Sequence, residues 1–152
     1  MTANNQNITK IFLAEDDADD RMFFEDALKQ VNLPTELVVT RDGCELMNAL
    51  EIAAAPPPAR IVFLDLNMPK KNGFECLKQI RSNPKLKNIP VVIFSTTDSA
   101  DAVNETYTAG ANYFICKPRS FPLLIKAIET VLKPELWESP RTSKESFFLA
   151  IA

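Results

Sequence analysis

Five short apolar runs, each breaking off at a polar cluster and giving way to a segment with helical spacing, constrain this chain more than any other feature. The runs cover residues 10–14, 36–40, 60–64, 90–94 and 112–116. Continuous apolar stretches of this length, rich in Val, Ile and Phe, read as strands buried on both faces of a parallel sheet. The intervening segments 19–31, 43–50, 73–81, 100–108 and 121–132 carry apolar residues at helical spacing. Residues 53–58, three alanines and three prolines, cannot continue the second helix and separate it from the third strand. Five βα units with right-handed crossovers and short loops form a doubly wound, five-stranded parallel sheet, expected in strand order 2-1-3-4-5.

A parallel sheet gathers all its strand ends of one polarity along one edge, and open α/β folds keep their ligands at the carboxyl edge. The first strand runs into Glu15, Asp16 and Asp17; the third stops on Asp65 before a Pro/Gly loop; the fourth ends on Ser95; the fifth runs into Lys117 and Pro118. In the order 2-1-3-4-5 the first and third strands are neighbours, so Glu15 and Asp16 abut Asp65. Clustered carboxylates repel one another, and a divalent cation relieves that repulsion while neutralising charge that develops in phosphoryl transfer. Mg²⁺, which takes one or two carboxylates with water and phosphate oxygens, suits this ligand set. An ammonium such as Lys117 favours an ionised Asp65 and offsets the charge of a transferred group, and the Ser95 hydroxyl can donate to it. Asp17, Asp19 and Asp20 read instead as capping and first-turn residues of the first helix.

Charge and composition exclude several classes. With 17 basic and 20 acidic side chains among 152 residues, the net charge of −3 supplies no electrostatic footprint for direct nucleic-acid contact. No apolar run approaches a membrane span, and residues 1–7 lack the pattern of a signal peptide, so a cytoplasmic location is expected. Cys44, Cys76 and Cys116 are odd in number and widely spaced, and are expected to be small buried hydrophobes. The chain has no histidine, so a phosphohistidine in its chemistry must come from another protein.

Glu15-Asp16, the run Asp65-Leu66-Asn67-Met68-Pro69 with Gly73 following, Ser95 five positions after Pro90, and Lys117-Pro118 occur here in one order and spacing. In this set the chain resembles a response-regulator receiver domain, the phosphoacceptor half of two-component signalling, of the single-domain chemotaxis-regulator kind with a flavodoxin-like fold. The resemblance covers residues 8–133. It implies that Asp65 accepts a phosphoryl group from a histidine kinase or histidine phosphotransfer protein, that Asp16 binds Mg²⁺ directly, and that Glu15 holds a metal-bound water. It also implies that the backbone carbonyl of Asn67 is a further metal ligand, that Ser95 and Lys117 contact phosphoryl oxygens, and that Phe114 is an aromatic switch acting with Ser95. Strand parity alone makes Phe114 a core residue, with Tyr113 facing the other side.

Two other classes share parts of this pattern. A haloacid-dehalogenase-like Mg²⁺ phosphatase would also use a strand-terminal Asp and a Lys, but it wants a second acid where Asn67 stands. A pseudo-receiver that binds partners without phosphorylation normally shows a broken site. The chain is therefore expected to be a non-enzyme whose chemistry is confined to its own phosphorylation and dephosphorylation. Residues 134–152 are too few for an output domain and are expected to be a loose extension, with docking of their aromatic end on a partner or on the domain as the alternative. The readout is then a downstream protein or a self-dimer.

Overall fold

The computed structural model describes residues 8–52, 59–137 and 144–151; the polar start, the alanine–proline run and residues 138–143 lie outside the described residues. Strands β1 (Thr9–Ala14), β2 (Thr35–Thr40), β3 (Ala59–Leu64), β4 (Val91–Ser95) and β5 (Tyr113–Cys116) alternate with helices α1 (Ala18–Lys29), α2 (Gly43–Ile52), α3 (Gly73–Ser82), α4 (Ala100–Thr108) and α5 (Phe121–Leu132). All four pairings are parallel, in the order β2-β1-β3-β4-β5. This is the doubly wound, flavodoxin-like arrangement expected from the sequence.

The inner strands are covered on both sides, and all five residues of β4 are buried, whereas the edge strand β2, expected to be buried on both faces, leaves Glu36 and Val39 exposed. On one face Phe24, Ala27 and Leu28 of α1 and Leu124, Ala127, Ile128 and Val131 of α5 pack on Ile11, Leu13, Ile61, Phe63, Val92 and Phe94. There Phe24, Phe63 and Phe94 form a triangle of edge-on rings with centroids 5.0–5.9 Å apart, a geometry that adds to their burial. On the opposite face Leu46, Met47 and Leu50 of α2 and Cys76, Leu77 and Ile80 of α3 cover Phe12, Val62, Leu64, Val91, Ile93 and Phe114, with Val103 and Tyr107 of α4 beside them.

Side chains close the helix N-termini. Asp17 accepts from the Asp20 amide at the start of α1, Asn72 and Glu75 form a reciprocal capping box on α3, and Ser99 and Ser120 cap α4 and α5. At the amino edge of the sheet Arg81 ties the end of α3 to two loops, donating to the carbonyls of Gly110, Lys87 and Ile89 and to Asn112 Oδ1 at 2.8–3.0 Å.

Three expectations are corrected. Cys44 is exposed, because Leu46, Met47 and Leu50 take the inward positions of α2; only Cys76 is fully buried. The first helix ends at Lys29 rather than 31, where the Gln30 and Val31 amides tighten onto Ala27 and Leu28. The described parts of the tail are packed rather than loose. A 3₁₀ turn (Pro134–Trp137) is held by Trp137 Nε1 donating to the Val131 carbonyl at 2.7 Å and by the Tyr113 hydroxyl donating to the Leu136 carbonyl at 2.9 Å. Helix α6 (Lys144–Phe147) then buries Phe147 to 1% exposure, and Phe148 pairs with Phe114 beside β5.

Candidate functional site

The β1 and β3 termini lie side by side because their register pairs Ala14 with Leu64, so the next residues, Glu15 and Asp65, leave the sheet together. The Asp65 amide donates to the Ala14 carbonyl at 3.1 Å, and the Glu15 amide to Thr40 at 3.0 Å, extending the ladder one step beyond the strands. Asp65 is then held from below by the turn into α3. The Gly73 amide donates to the Leu66 carbonyl at 3.0 Å, and a Cβ at position 73 would lie 2.1 Å from the Asp65 carbonyl oxygen. Only glycine permits that approach.

Glu15 and Asp65 are 2% and 5% exposed, whereas Asp16 faces solvent. One ligand oxygen from each of Glu15, Asp16 and Asp65 lies within 4.8 Å of the other two. Three hard, acceptor-only oxygens at this spacing fit a small divalent cation. Asn67, on the same loop, donates its amide to Asp65 Oδ1 at 3.3 Å.

Lys117 reaches this cluster from the end of β5. Its ammonium contacts Asp65 Oδ2 at 3.2 Å and Asp20 Oδ2 at 3.1 Å, and forms an ion pair with Glu15 Oε1. Burial works against the ammonium, but the hydrogen bond it donates to Glu15 and the charges of Asp65 and Glu15 outweigh it, so Lys117 is held charged well above the usual lysine range. Glu15 goes the other way from an ordinary carboxyl: burial first, then the Asp65 charge, push it up to about 7 despite the opposing pull of Lys117.

Ser95 is fully buried at the end of β4, its Oγ accepting from the Thr97 amide at 3.3 Å and its carbonyl from the Lys117 amide at 2.8 Å. Ile93 is paired with Phe114, and both belong to the α2–α3–α4 face, so Ser95, two residues on, points the same way as Phe114. Tyr113 packs on the opposite face, as strand parity requires.

The sequence-predicted set of Glu15, Asp16, Asp65 and Lys117 is thus brought together at one edge, with Asn67 on the adjoining loop and Ser95 at the end of β4. Two contributors went unread. Asp20, taken for a first-turn residue, turns its carboxylate to Lys117 across 97 residues, a contact with no local signal in the sequence. Arg21 donates to the Glu15 carbonyl at 3.0 Å and fixes the β1–α1 turn.

The response regulator receiver domain matches residues 11–129 of this chain by its sequence pattern. The chain belongs to that family. Response regulator Rcp1 of Synechocystis sp. is 36% identical over 125 residues, covering 80% of this chain and 84% of Rcp1. The crystal structure of Mn²⁺-bound Rcp1 superposes with a TM-score of 0.72 at 33% identity, over 88% of this chain and 99% of the other. That of the phosphorylated cyanobacterial phytochrome response regulator RcpA gives 0.71 at 39% identity, over 80% and 89%. The receiver therefore carries the acidic triad typical of its family, one relative of which holds Mn²⁺. Membership implies a cognate histidine kinase, and receivers are usually not catalytic enzymes. Among the described residues no helix is long and apolar enough to cross a membrane.

Proposed function

We propose that this receiver accepts one phosphoryl group on Asp65 from a phosphohistidine, with Mg²⁺ bound by Asp16 and Asp65, by the Asn67 carbonyl and, through water, by Glu15. The observation that carries the reading is the convergence of three carboxylates within 4.8 Å with a lysine 3.2 Å from the one at the end of β3. Mg²⁺ in this cluster neutralises charge on the transferred group and on the carboxylates around it.

A carboxylate oxygen of Asp65 forms the new O–P bond as the donor's N–P bond breaks, and the electron pair of that bond stays with the departing imidazole, which takes up a proton. Asp65 is positioned for this step at the end of β3, its Oδ2 held by the Lys117 ammonium at 3.2 Å. Lys117 and the Ser95 hydroxyl then hold phosphoryl oxygens, which positions the group without further covalent chemistry. Drawing Ser95 toward the group leaves room on the face it shares with Phe114, and the aromatic side chain turns into it, altering the α4–β5–α5 surface that a downstream protein or a second copy reads.

The chemistry is confined to the chain's own phosphorylation and its reversal, in the cytoplasm. A phytochrome-type histidine kinase is the natural donor class, since RcpA is a phytochrome response regulator. The phosphatase alternative lacks support at position 67, where Asn67 carries a neutral carboxamide in place of the acid that family would use. Incubation with acetyl phosphate or a phosphorylated histidine kinase tests the reading. Stoichiometric, Mg²⁺-dependent and hydroxylamine-labile labelling, absent in Asp65→Asn, is expected. Repeated turnover of small phosphate esters without lasting modification would overturn it.

A further inference from the structure

β5 is an edge strand, and an uncovered edge offers unpaired backbone groups to any extended segment. Here the chain covers it itself. The Leu149 amide donates to the Phe114 carbonyl at 2.9 Å, and Phe148 forms a parallel bridge with Phe114, so the end of the chain adds a sixth, one-residue strand. The Phe148 ring stacks on Phe114 with centroids 5.7 Å apart, while Phe147 packs edge-on against Tyr107 of α4 at 5.3 Å and Phe114 at 6.1 Å. Leu149 and Ile151 cross to the other side and join the cluster that contains Phe121 and Ile125 of α5. Consecutive β5 residues thus both hold the tail: the Tyr113 hydroxyl binds Leu136, and the Phe114 carbonyl binds Leu149. Phe114, 0% exposed, is closed in by this segment on its solvent side.

We propose that residues 144–151 are an intramolecular strap over the β5 edge which holds Phe114 in its resting contact with Phe147 and Phe148, and that phosphorylation of Asp65, by turning Phe114 away from that contact, releases the strap. The inference rests on the phosphoacceptor reading and assigns the tail a part in it. The strap occupies the face through which a receiver state would be read, so the resting protein withholds both the edge strand and the aromatic groove made by Tyr107 and Phe114. A strap that binds the resting arrangement better than the switched one biases the equilibrium toward rest, and any change that frees it favours the phosphorylated state to the same degree.

Amide hydrogen exchange on the full chain with Mg²⁺, with and without beryllium trifluoride as a mimic of a carboxylate-bound phosphoryl group, tests this. Protection at Leu149 is expected to fall about tenfold when the mimic binds, while protection at Ile93 in β4 is retained. Phe147→Asp in the full chain is expected to bind the mimic about tenfold more tightly, since the strap no longer opposes the switch. Binding of the mimic with unchanged Leu149 protection and unchanged affinity in the variant overturns the strap alone. Failure of both proteins to bind it removes the phosphoacceptor reading and the strap with it. Leu149 protection that disappears on dilution from dimer to monomer assigns the contact to a second copy and overturns the intramolecular strap.

Discussion

Lys117 Nζ lies 3.2 Å from Asp65 Oδ2 across 52 residues of sequence, and the same ammonium also serves Glu15 and Asp20. It is the counter-ion of a buried acidic cluster as well as a candidate phosphoryl contact. Removing it should therefore affect stability as well as chemistry. Lys117→Ala leaves Glu15 and Asp65 buried beside each other without their cation, which is expected to cost about 3 kcal/mol in metal-free buffer near pH 8. Mg²⁺ should restore part of that loss in urea denaturation. An unchanged midpoint without metal would contradict the counter-ion role.

Glu15 gives a pH signature. Its carboxyl is raised from 4.5 to about 7, so a proton competes with the cation below about pH 7. Mg²⁺ affinity is expected to rise from pH 6 to pH 8, and Glu15→Gln should flatten the profile in calorimetry. Metal-free stability runs the opposite way. The folded state holds this proton more tightly than the unfolded chain, so the contribution is full below about 4.5 and is lost as pH rises through about 7.

Asp16 and Asp17 are adjacent and both exposed, yet their variants should separate cleanly. Asp16→Ala is expected to abolish most Mg²⁺ affinity with little effect on folding. Asp17→Ala removes the acceptor for the Asp20 amide at 2.9 Å and is expected to cost about 1 kcal/mol of stability with metal binding largely kept. Equal losses of affinity, measured by calorimetry on both variants, would remove the distinction.

Arg81 tests whether the scaffold is separable from the site. Arg81→Met strips the donors from the Gly110, Lys87 and Ile89 carbonyls and from Asn112, at the sheet edge remote from Asp65. A loss of about 2–4 kcal/mol is expected in chemical denaturation, with Asp65 labelling of the folded protein unchanged. Lysine should not rescue it, because a single ammonium cannot reproduce the planar fork.

Strand order and site placement were legible because they follow from local pattern and a chain-crossing rule. Residues 60–64 read as a buried strand, and neighbouring first and third strands put Glu15 beside Asp65 without any knowledge of side-chain packing. What failed depended on distant partners. Asp20 carries the local signature of a first-turn acid, and its contact with Lys117 exists only once β5 has docked. Phe147 and Phe148 read as a loose end because the surface that buries them is assembled from Tyr107 and Phe114, more than thirty residues earlier. Cys44 was misplaced by residue type, since apolar character does not say which side of α2 a position occupies.

The measurement that bears most directly on the phosphoacceptor assignment is borohydride reduction of the phosphorylated chain followed by peptide mass spectrometry. An aspartyl phosphate is reduced to homoserine, so homoserine is expected at position 65 alone, dependent on Mg²⁺ and absent from unphosphorylated protein. Homoserine at another aspartate, or phosphate retained on a hydroxyl such as Ser95 with Asp65 intact, would contradict it.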